Sequence, residues 1–339
     1  MDFQKAKQAL AQGEIENVYC LQGSEVYLQQ SFRQALAQKI ETLAGELDLS
    51  SFDASEVSID TILDEAETYS FFVDQRLIIV DQVDFLISQP QQKMTDGQTK
   101  RLIDYLKDPN PSTCILFIVP HDQVDKRRKL TKTFLKETNY INISPLEESD
   151  VQAFVQNYIQ SASFEMTTEA QKALLKRVDY QLSQAVAELE KLKQFAQSGQ
   201  KVTLEVVNSL VTRSLASDVF ELTNAILARK IDRSIQIYQD LILMKHEPIQ
   251  LHALIVSQFR LFIQVKLLQQ QGMQQEEMAQ ILSVHPYRVK LALQSSRQMQ
   301  IEELSQLYLQ LIQADYQMKT GLGNKDTSFY LILTKIMQL

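Results

Sequence analysis

The stretch Ser70-Phe71-Phe72-Val73-Asp74-Gln75-Arg76-Leu77-Ile78-Ile79-Val80-Asp81 decides the fold of the N-terminal part of the chain. Residues 77–80 form an apolar run that is rich in β-branched residues and is closed by Asp81. Such a run predicts a strand that is buried on both faces of a parallel sheet. We expect the sheet to be built around this strand.

Two adjacent phenylalanines, Phe71 and Phe72, precede the strand. If the backbone is extended there, the two side chains point to opposite sides and cannot share one core. One interpretation is that one of them is exposed. The other is that both fold under the sheet at a helix end, since Phe is usually buried. The sequence leaves both interpretations open.

The rest of residues 1–143 alternates strand-like and helix-like segments. Strands are predicted at 17–22, 49–54, 114–119 and 140–143, and helices at 24–43, 59–66, 98–107 and around the basic residues 126–129. Alternation of this kind predicts an α/β domain with a parallel sheet that helices cover on both faces.

The strand signal disappears after Pro145. Short helices are predicted within 147–212, and residues 213–339 are predicted to be helical throughout, with one helix capped by Ser217 and others beginning at Pro248, Pro286 and Ile301. A chain of 339 residues exceeds what one hydrophobic core normally serves. We therefore predict three domains, at 1–143, 144–212 and 213–339.

The composition is that of a soluble globular protein, with 45% hydrophobic and 22% charged residues. No apolar run approaches the ~20 residues that a bilayer requires, and the first residues lack the apolar region of a signal peptide. We expect a cytoplasmic protein with no membrane partner.

Cys20 and Cys114 have no CxxC spacing and are predicted to be core thiols.

The formal net charge of −8 is unevenly distributed. Residues 1–143 carry 15 Lys+Arg against 22 Asp+Glu, whereas residues 213–339 carry 13 against 11. A protein with an acidic N-terminal part is not a stand-alone binder of phosphate backbones, which require a concentrated basic surface. If the protein works near DNA, we expect it to do so through partners.

Catalytic signatures are missing from the sequence. The turn at Gly23, after the first predicted strand, is where a phosphate-binding loop would lie, but no glycine is followed by Lys as GxxxxGK[ST] requires. Asp81 resembles the acidic residue after a Walker B strand, yet Gln82 follows it. We expect no catalytic residue, no cofactor and no metal site. An active ATPase with an unorthodox nucleotide loop remains the alternative.

Residues 273–299 could form a helix-turn-helix in which Arg288, Lys290 and Arg297 face a DNA groove. The competing interpretation is an αα-hairpin within a helical bundle, which is far commoner. A DNA-binding regulator is therefore a second alternative.

Five segments taken together are similar to one known family. They are Tyr19-Cys20-Leu21-Gln22-Gly23, residues 70–80, Asp125-Lys126-Arg127-Arg128-Lys129-Leu130, His285-Pro286-Tyr287-Arg288-Val289 and Asp315-Tyr316-Gln317-Met318-Lys319-Thr320-Gly321. Their order and spacing over nearly the full chain resemble the delta subunit of the bacterial DNA polymerase III clamp loader.

The resemblance implies an AAA+-type α/β N-terminal domain with a degenerate P-loop, a small helical lid domain and an all-α C-terminal collar domain. It implies a subunit that binds the sliding clamp (beta) and opens or holds open its ring, while ATP turnover occurs in sister subunits. The other loader subunits, gamma/tau and delta prime, would join through the collar, and primer-template DNA would be bound within the complex.

The family's clamp-binding pair is a Leu-Phe dipeptide before the central strand, and the matching positions here, preceded by Ser70, are Phe71 and Phe72. Phe71 departs from the pattern: it keeps an apolar wedge but changes its shape. The basic residues Lys126, Arg127, Arg128 and Lys129 are a candidate DNA contact.

Overall fold

The computed structural model describes residues 3–13, 15–68, 74–91, 93–197, 199–297 and 299–336. The chain divides into two compact units, Met1–Leu146 and Glu147–Leu339. The three-domain layout, with its further boundary at 212/213, stays a prediction.

The N-terminal unit is an α/β domain, as predicted. Its strands are β1 Val18–Gln22, β2 Leu49–Asp53, β3 Arg76–Asp81, β4 Thr113–Val119 and β5 Asn139–Asn142. Its helices are α1 Phe3–Gln12, α2 Val26–Ala44, α3 Ile59–Glu67, α4 Asp96–Lys107 and α5 Lys129–Glu137. Every strand pair among these is parallel, and the order across the sheet is β2-β3-β4-β1-β5.

The expectation that the sheet is built around β3 is wrong in one respect, because the middle position belongs to β4. All seven residues of β4 are buried, and it pairs with β3 on one side and β1 on the other. Strands β3 and β4 present the same apolar pattern, and local pattern does not encode strand order. The partly polar β2 is an edge strand next to β3.

The C-terminal unit is helical, as predicted. Its helices are α6 Glu148–Ser161, α7 Thr168–Arg177, α8 Leu182–Ala196, α9 Leu204–Leu210, α10 Leu215–Leu227, α11 Ile231–Leu243, α12 Pro248–Gln270, α13 Gln275–Leu282, α14 Pro286–Ser296, α15 Ile301–Lys319 and α16 Ser328–Ile336. One isolated parallel bridge, Met166 to Val202, is the β pairing recorded in the described part of this unit.

Three features of this unit differ from the sequence expectations. The N-cap of α10 is Ser214, whose hydroxyl accepts from the Ser217 backbone N–H, so Ser217 is the residue that is capped rather than the cap. Helices α11 and α16 were not predicted separately. The N-cap of α11, Lys230, makes no side-chain hydrogen bond, so α11 lacks one of the usual sequence signals of a helix start.

Helix α12 is long and apolar enough to span a bilayer by length and composition, although the sequence analysis expected no such segment. Half of the 18-residue apolar stretch within this helix is buried inside the protein, and Leu251, Phe259 and Phe262 are fully buried. These side chains belong to the hydrophobic core shared by α10 to α16. This burial is typical of the core helix of a helical bundle.

Candidate functional site

The turn after β1 brings backbone very close to backbone. Gly23 has φ of +140°, and a Cβ atom added there would lie 2.2 Å from the carbonyl carbon of Ile143 and 2.2 Å from the Ser144 nitrogen. Only glycine fits this position. The sequence analysis placed the degenerate phosphate loop here, and the structure confirms a strand-turn-helix arrangement, β1 followed by α2.

The amides that a phosphate would use at this turn already have acceptors within the protein. The Ser24 N–H donates to Asp122 Oδ1 at 2.9 Å, and the Ser24 hydroxyl donates to Asp122 Oδ2 at 3.0 Å. The Glu25 N–H donates to the Ile143 carbonyl at 3.0 Å. Glu25 is also the N-cap of α2 and accepts from the Tyr27 N–H. The carboxylates of Asp122 and Glu25 therefore occupy the part of α2 that would otherwise attract an anion.

Asp81, the residue that resembles a Walker B acid, is ion-paired. Its Oδ2 lies 3.1 Å from Nη1 of Arg33 on α2. Gln82 follows with a positive φ of 56°. A carboxylate neutralised by a guanidinium is a poor ligand for magnesium, because its charge is already compensated. This geometry argues against nucleotide hydrolysis at this edge of the sheet.

The predicted clamp-binding residues Ser70, Phe71 and Phe72 lie outside the described residues. Both flanks of this segment are described. On its N-terminal side α3 ends at Glu67 and Thr68 is its C-cap; on its C-terminal side β3 begins at Arg76. These flanks lie at the end of the sheet where its parallel strands begin. The turn after β1 lies at the opposite end, where the strands finish.

Arg76 is the charged residue at the base of this segment, and its side chain is buried. Its Nη2 lies 2.5 Å from Glu65 Oε1, and its Nη1 donates to the Glu65 carbonyl at 3.3 Å. Its Nε lies 3.5 Å from Asp48 Oδ2. The sequence analysis did not assign Arg76 a role. An arginine directly before an apolar run does not reveal in sequence that it is buried, so the sequence offered no signal for it.

The C-terminal turn of α3 is held from a second direction. The Ala66 carbonyl accepts from Thr113 Oγ1 and from Asn110 Nδ2, both at 3.0 Å. The Arg76 backbone N–H donates to the Ser112 carbonyl at 3.0 Å. Residues at the start of β4 therefore hold the last turn of α3 and the first residue of β3 together.

Helix α3 is also linked to α4. Arg101 forms ion pairs with Asp64 at 2.7 Å, Glu67 at 2.8 Å and Asp60 at 3.5 Å, three carboxylates on one side of α3. The hydrogen bonds that Arg101 donates to Asp64 and Glu67 raise the pKa of Arg101 above its usual value. The helix that leads into the predicted clamp-binding segment is thus fixed along its length.

Of the basic residues 126–129, around which a helix was predicted, only Lys129 is helical, so the helix begins later than expected. Lys126, Arg127 and Arg128 precede α5, which begins at Lys129. The Asp125 carboxylate accepts from the Arg127 backbone N–H and pairs with its guanidinium at 3.0 Å, so these residues form a turn.

The four basic side chains have different surroundings. Arg128 is partly buried and donates through Nη1 to the carbonyls of Phe85 at 2.6 Å and Ile87 at 3.1 Å. Lys126 and Lys129 are exposed, and so is Lys132, which follows Lys129 by one helical turn. The cationic surface at this position therefore consists of these lysines and the exposed Arg127, which is paired with Asp125, whereas Arg128 is used inside the fold.

The hairpin of α13 and α14 uses its basic side chains within the C-terminal unit. Lys290 Nζ lies 2.9 Å from both carboxylate oxygens of Glu148, and Arg288 donates to the buried Gln258 side chain at 3.2 Å. The Tyr287 and Tyr180 rings lie 4.7 Å apart. Arg297 is exposed. This arrangement favours the αα-hairpin over a DNA-recognition helix.

Cys20 and Cys114 are fully buried free thiols, which confirms the prediction that they belong to the core. Burial raises the pKa of Cys20 to about 12, so the thiol stays protonated. Within the described ranges, no group of His, Cys, Asp and Glu side chains is arranged to hold a metal ion.

An apolar surface lies between α11 and α16. A groove of about 480 Å³ is lined by Tyr238, Ile242, Leu243, Pro248 and Tyr330, among others. Leu243 is 79% exposed, and its neighbour Met244 is 63% exposed. Large apolar side chains exposed together are typical of a protein-protein contact. The sequence analysis missed this surface because it did not separate α11 and α16.

Family models match both parts of the chain. The model described as "DNA polymerase III, delta subunit" matches residues 19–144, and the one described as "DNA polymerase III delta subunit, C-terminal domain" matches residues 216–336.

Individual relatives agree with these matches. The chain is 35% identical to "DNA polymerase III subunit delta" of Bacillus subtilis over 97% of this chain and 95% of that protein. It is 23% identical to "Probable DNA polymerase III subunit delta" of Aquifex aeolicus over 80% of this chain and 76% of that protein. The solved structure of the Bacillus subtilis DNA clamp loader delta protein superposes with a TM-score of 0.81 at 34% identity, covering 99% of this chain and 100% of that one.

Proposed function

Because the chain belongs to the DNA polymerase III delta subunit family, and so has a clamp-loader role in replication, we propose that it binds the sliding clamp. It would open the clamp ring, or hold it open, for loading onto primed DNA. The family assignment made from the sequence is confirmed, and the proposal concerns what this chain does within the loader.

The observation that carries the proposal is the anchoring of the described residues that precede and follow Phe71 and Phe72 in sequence. Arg76 binds Glu65, and residues at the start of β4 hold the Ala66 carbonyl and the Arg76 amide. A short segment with fixed ends loses less conformational entropy on binding than a free one. Two large apolar side chains on such a segment are suited to an apolar pocket on the clamp.

The proposal excludes ATP hydrolysis by this chain. The donors of the turn after β1 are paired with Asp122 and Ile143, and Asp81 is paired with Arg33. These contacts favour a non-catalytic AAA+-type subunit over an ATPase with an unorthodox loop. ATP turnover would then belong to sister subunits of the loader.

The collar, residues 213–339, is the proposed contact with those subunits. The exposed apolar surface of Leu243 and Met244 beside the groove of α11 and α16 supports this assignment.

Primer-template DNA is a proposed partner only within the assembled loader. For it the structure offers Lys126 and Lys129 as exposed cations, whereas Arg127 is paired with Asp125 and Arg128 is used internally.

Clamp binding by the full-length chain tests the proposal. The sliding clamp of the same organism is immobilised, and the affinity of the chain is measured with and without magnesium and ATP. We expect binding in both conditions with the same dissociation constant. An affinity that rises with ATP, or micromolar binding of a fluorescent ATP analogue, would favour the ATPase alternative. Absence of clamp binding would contradict the proposal itself.

A further inference from the structure

Two consecutive residues of the C-terminal unit, Asp179 and Tyr180, have a left-handed backbone conformation, with φ of 51° and 55°. They form the turn between α7 and α8, in which the Tyr180 N–H donates to the Leu175 carbonyl at 3.0 Å. A residue other than glycine is strained in this conformation, which persists only where the surrounding structure holds it. The contacts of both side chains show what holds this turn.

Both side chains of the turn contact residues beyond position 212, the predicted end of the lid. Asp179 is buried, and its Oδ2 accepts from the Ser214 hydroxyl at 3.0 Å. Ser214 is the N-cap of α10, the first helix of the predicted collar. The centre of the Tyr180 ring lies 4.7 Å from that of Tyr287 on α14. One turn of the lid therefore holds two separate helices of the collar.

A third contact joins the same two parts of the chain. Glu148, the first residue of α6, pairs with Lys290 of α14, whose Nζ lies 2.9 Å from both carboxylate oxygens. Lys290 follows Tyr287 by three positions, so both side chains lie on one face of α14, and Lys290 Nζ is 6.0 Å from the centre of the Tyr287 ring. This face of α14 therefore contacts both α6 and the turn after α7.

Contacts at three separate points prevent one part from rotating on the other, whereas a single contact would leave a hinge. Residues 147–339 accordingly form one compact unit. We propose that Asp179 and Tyr180 form a clasp that makes the lid, residues 147–212, and the collar, residues 213–339, one rigid body. The predicted boundary at 212/213 is then not a joint, and a partner that binds the collar fixes the lid as well.

Spin labels on the full-length chain test this inference. Gln184→Cys on α8 and Gln269→Cys on α12 are exposed positions, and labels there report the distance between lid and collar by double electron–electron resonance. Cys20 and Cys114 are fully buried, so they do not compete for the label. We expect one narrow distance distribution. A broad distribution in the otherwise unaltered chain would overturn the inference.

The variant Asp179→Gly/Tyr180→Gly removes the clasp but keeps its turn, because glycine adopts a positive φ without strain. We expect the lid–collar distance distribution to become at least twice as wide. If circular dichroism shows that this variant does not fold, Tyr180→Gly/Lys290→Gln takes its place. It removes two of the three contacts and leaves Asp179 as a hinge, so the same widening is expected. An unchanged width in the folded variant would overturn the inference.

Ser163→Gly is the matched control. Ser163 is also an exposed left-handed residue of the lid, with φ of 56°, and this variant should keep the narrow distribution. A second pair of labels, through Gln239→Cys and Gln269→Cys, lies within the collar and should keep its distribution in every variant. Equal widening in Ser163→Gly, or widening of the pair within the collar, would overturn the inference, because general loosening would then explain the result.

Discussion

At the scale of single residues, Asp122 and Gly23 determine the turn after β1, where the sequence analysis predicts a degenerate phosphate loop. Asp122 takes the place of an anion at the start of α2, and Gly23 allows the backbone to pass against Ile143 and Ser144. The sequence itself shows that the lysine of a phosphate-binding loop is missing after Gly23. It did not predict Asp122, because this residue is about 100 positions away and its contact depends on how β1 and β4 pair.

Gly23→Ala tests the close approach at this turn. The new Cβ atom would meet backbone atoms at 2.2 Å, and φ of +140° is unfavourable for an L-residue. We expect the free energy of unfolding to fall by about 3 kcal/mol or more, combining backbone strain with overpacking. Urea denaturation measures it.

Gly45→Ala is the control for this substitution, because Gly45 also has positive φ, +81°, but a Cβ there meets nothing within 4 Å. It should cost only the left-handed penalty of about 1–2 kcal/mol. Equal losses for the two variants would show that the approach to Ile143 is not tight.

The buried His252 is expected to make the stability of the folded chain depend on pH. Its Nε2 donates to the Leu311 carbonyl at 2.8 Å, and burial lowers the pKa of His252 below its usual value, although this hydrogen bond opposes the shift. Below the ordinary His pKa of about 6.5 the unfolded chain therefore binds a proton that the folded chain does not.

Stability should consequently fall as the pH decreases from about 7 to about 5, and His252→Gln should make the fall shallower. Denaturation midpoints at several pH values in this range measure both slopes. Identical slopes for the native chain and the variant would contradict this assignment of the proton uptake.

At the scale of elements, apolar runs predicted where strands and helices occur, but not how they are arranged. Residues 77–80 and 114–119 look alike in sequence, yet only β4 has the middle position. A helix was predicted around residues 126–129, between the strands at 114–119 and 140–143. The Asp125 side chain instead forms a turn with Arg127, and this local competition begins α5 at Lys129.

Helix α14 provides the test of the hairpin. Lys290→Glu places two carboxylates together at Glu148, and we expect it to lower the free energy of unfolding by about 1 kcal/mol, since the pair is partly exposed. The exchanged pair, Lys290→Glu with Glu148→Lys, should recover most of this loss. Denaturation at low and high salt measures both variants.

The helix-turn-helix alternative makes a different prediction for the same variant. If Lys290 faced a DNA groove, Lys290→Glu would weaken salt-dependent DNA binding, and the exchanged pair would not restore it. A loss of DNA affinity with unchanged stability would contradict the αα-hairpin interpretation.

At the scale of the whole molecule, the sequence predicted the fold class, the family and the helical C-terminal part. It could not predict the contacts that organise the candidate site, because Arg76, Glu65, Asp48 and Thr113 come together only when β2, β3 and β4 are paired. An arginine before an apolar run gives no sign in sequence that it is buried.

The parallel sheet of the N-terminal unit separates two positions that the sequence analysis singled out. The closed turn after β1 lies where strands end, and the flanks of residues 70–72 lie where strands begin. A strand of six residues spans about 20 Å, so these positions are remote from each other across the sheet. The proposed clamp binding at one end of the strands therefore does not depend on the turn at the other end.

The most direct test of this account measures clamp affinity and melting temperature on one variant, Phe71→Ala/Phe72→Ala. If the two side chains form an exposed wedge, burying them in the clamp contributes several kcal/mol, at about 1.5–3 kcal/mol for each. The account predicts that clamp binding is abolished while the melting temperature stays nearly unchanged. A large drop in melting temperature would place both rings in the core, and unchanged clamp affinity would contradict the wedge.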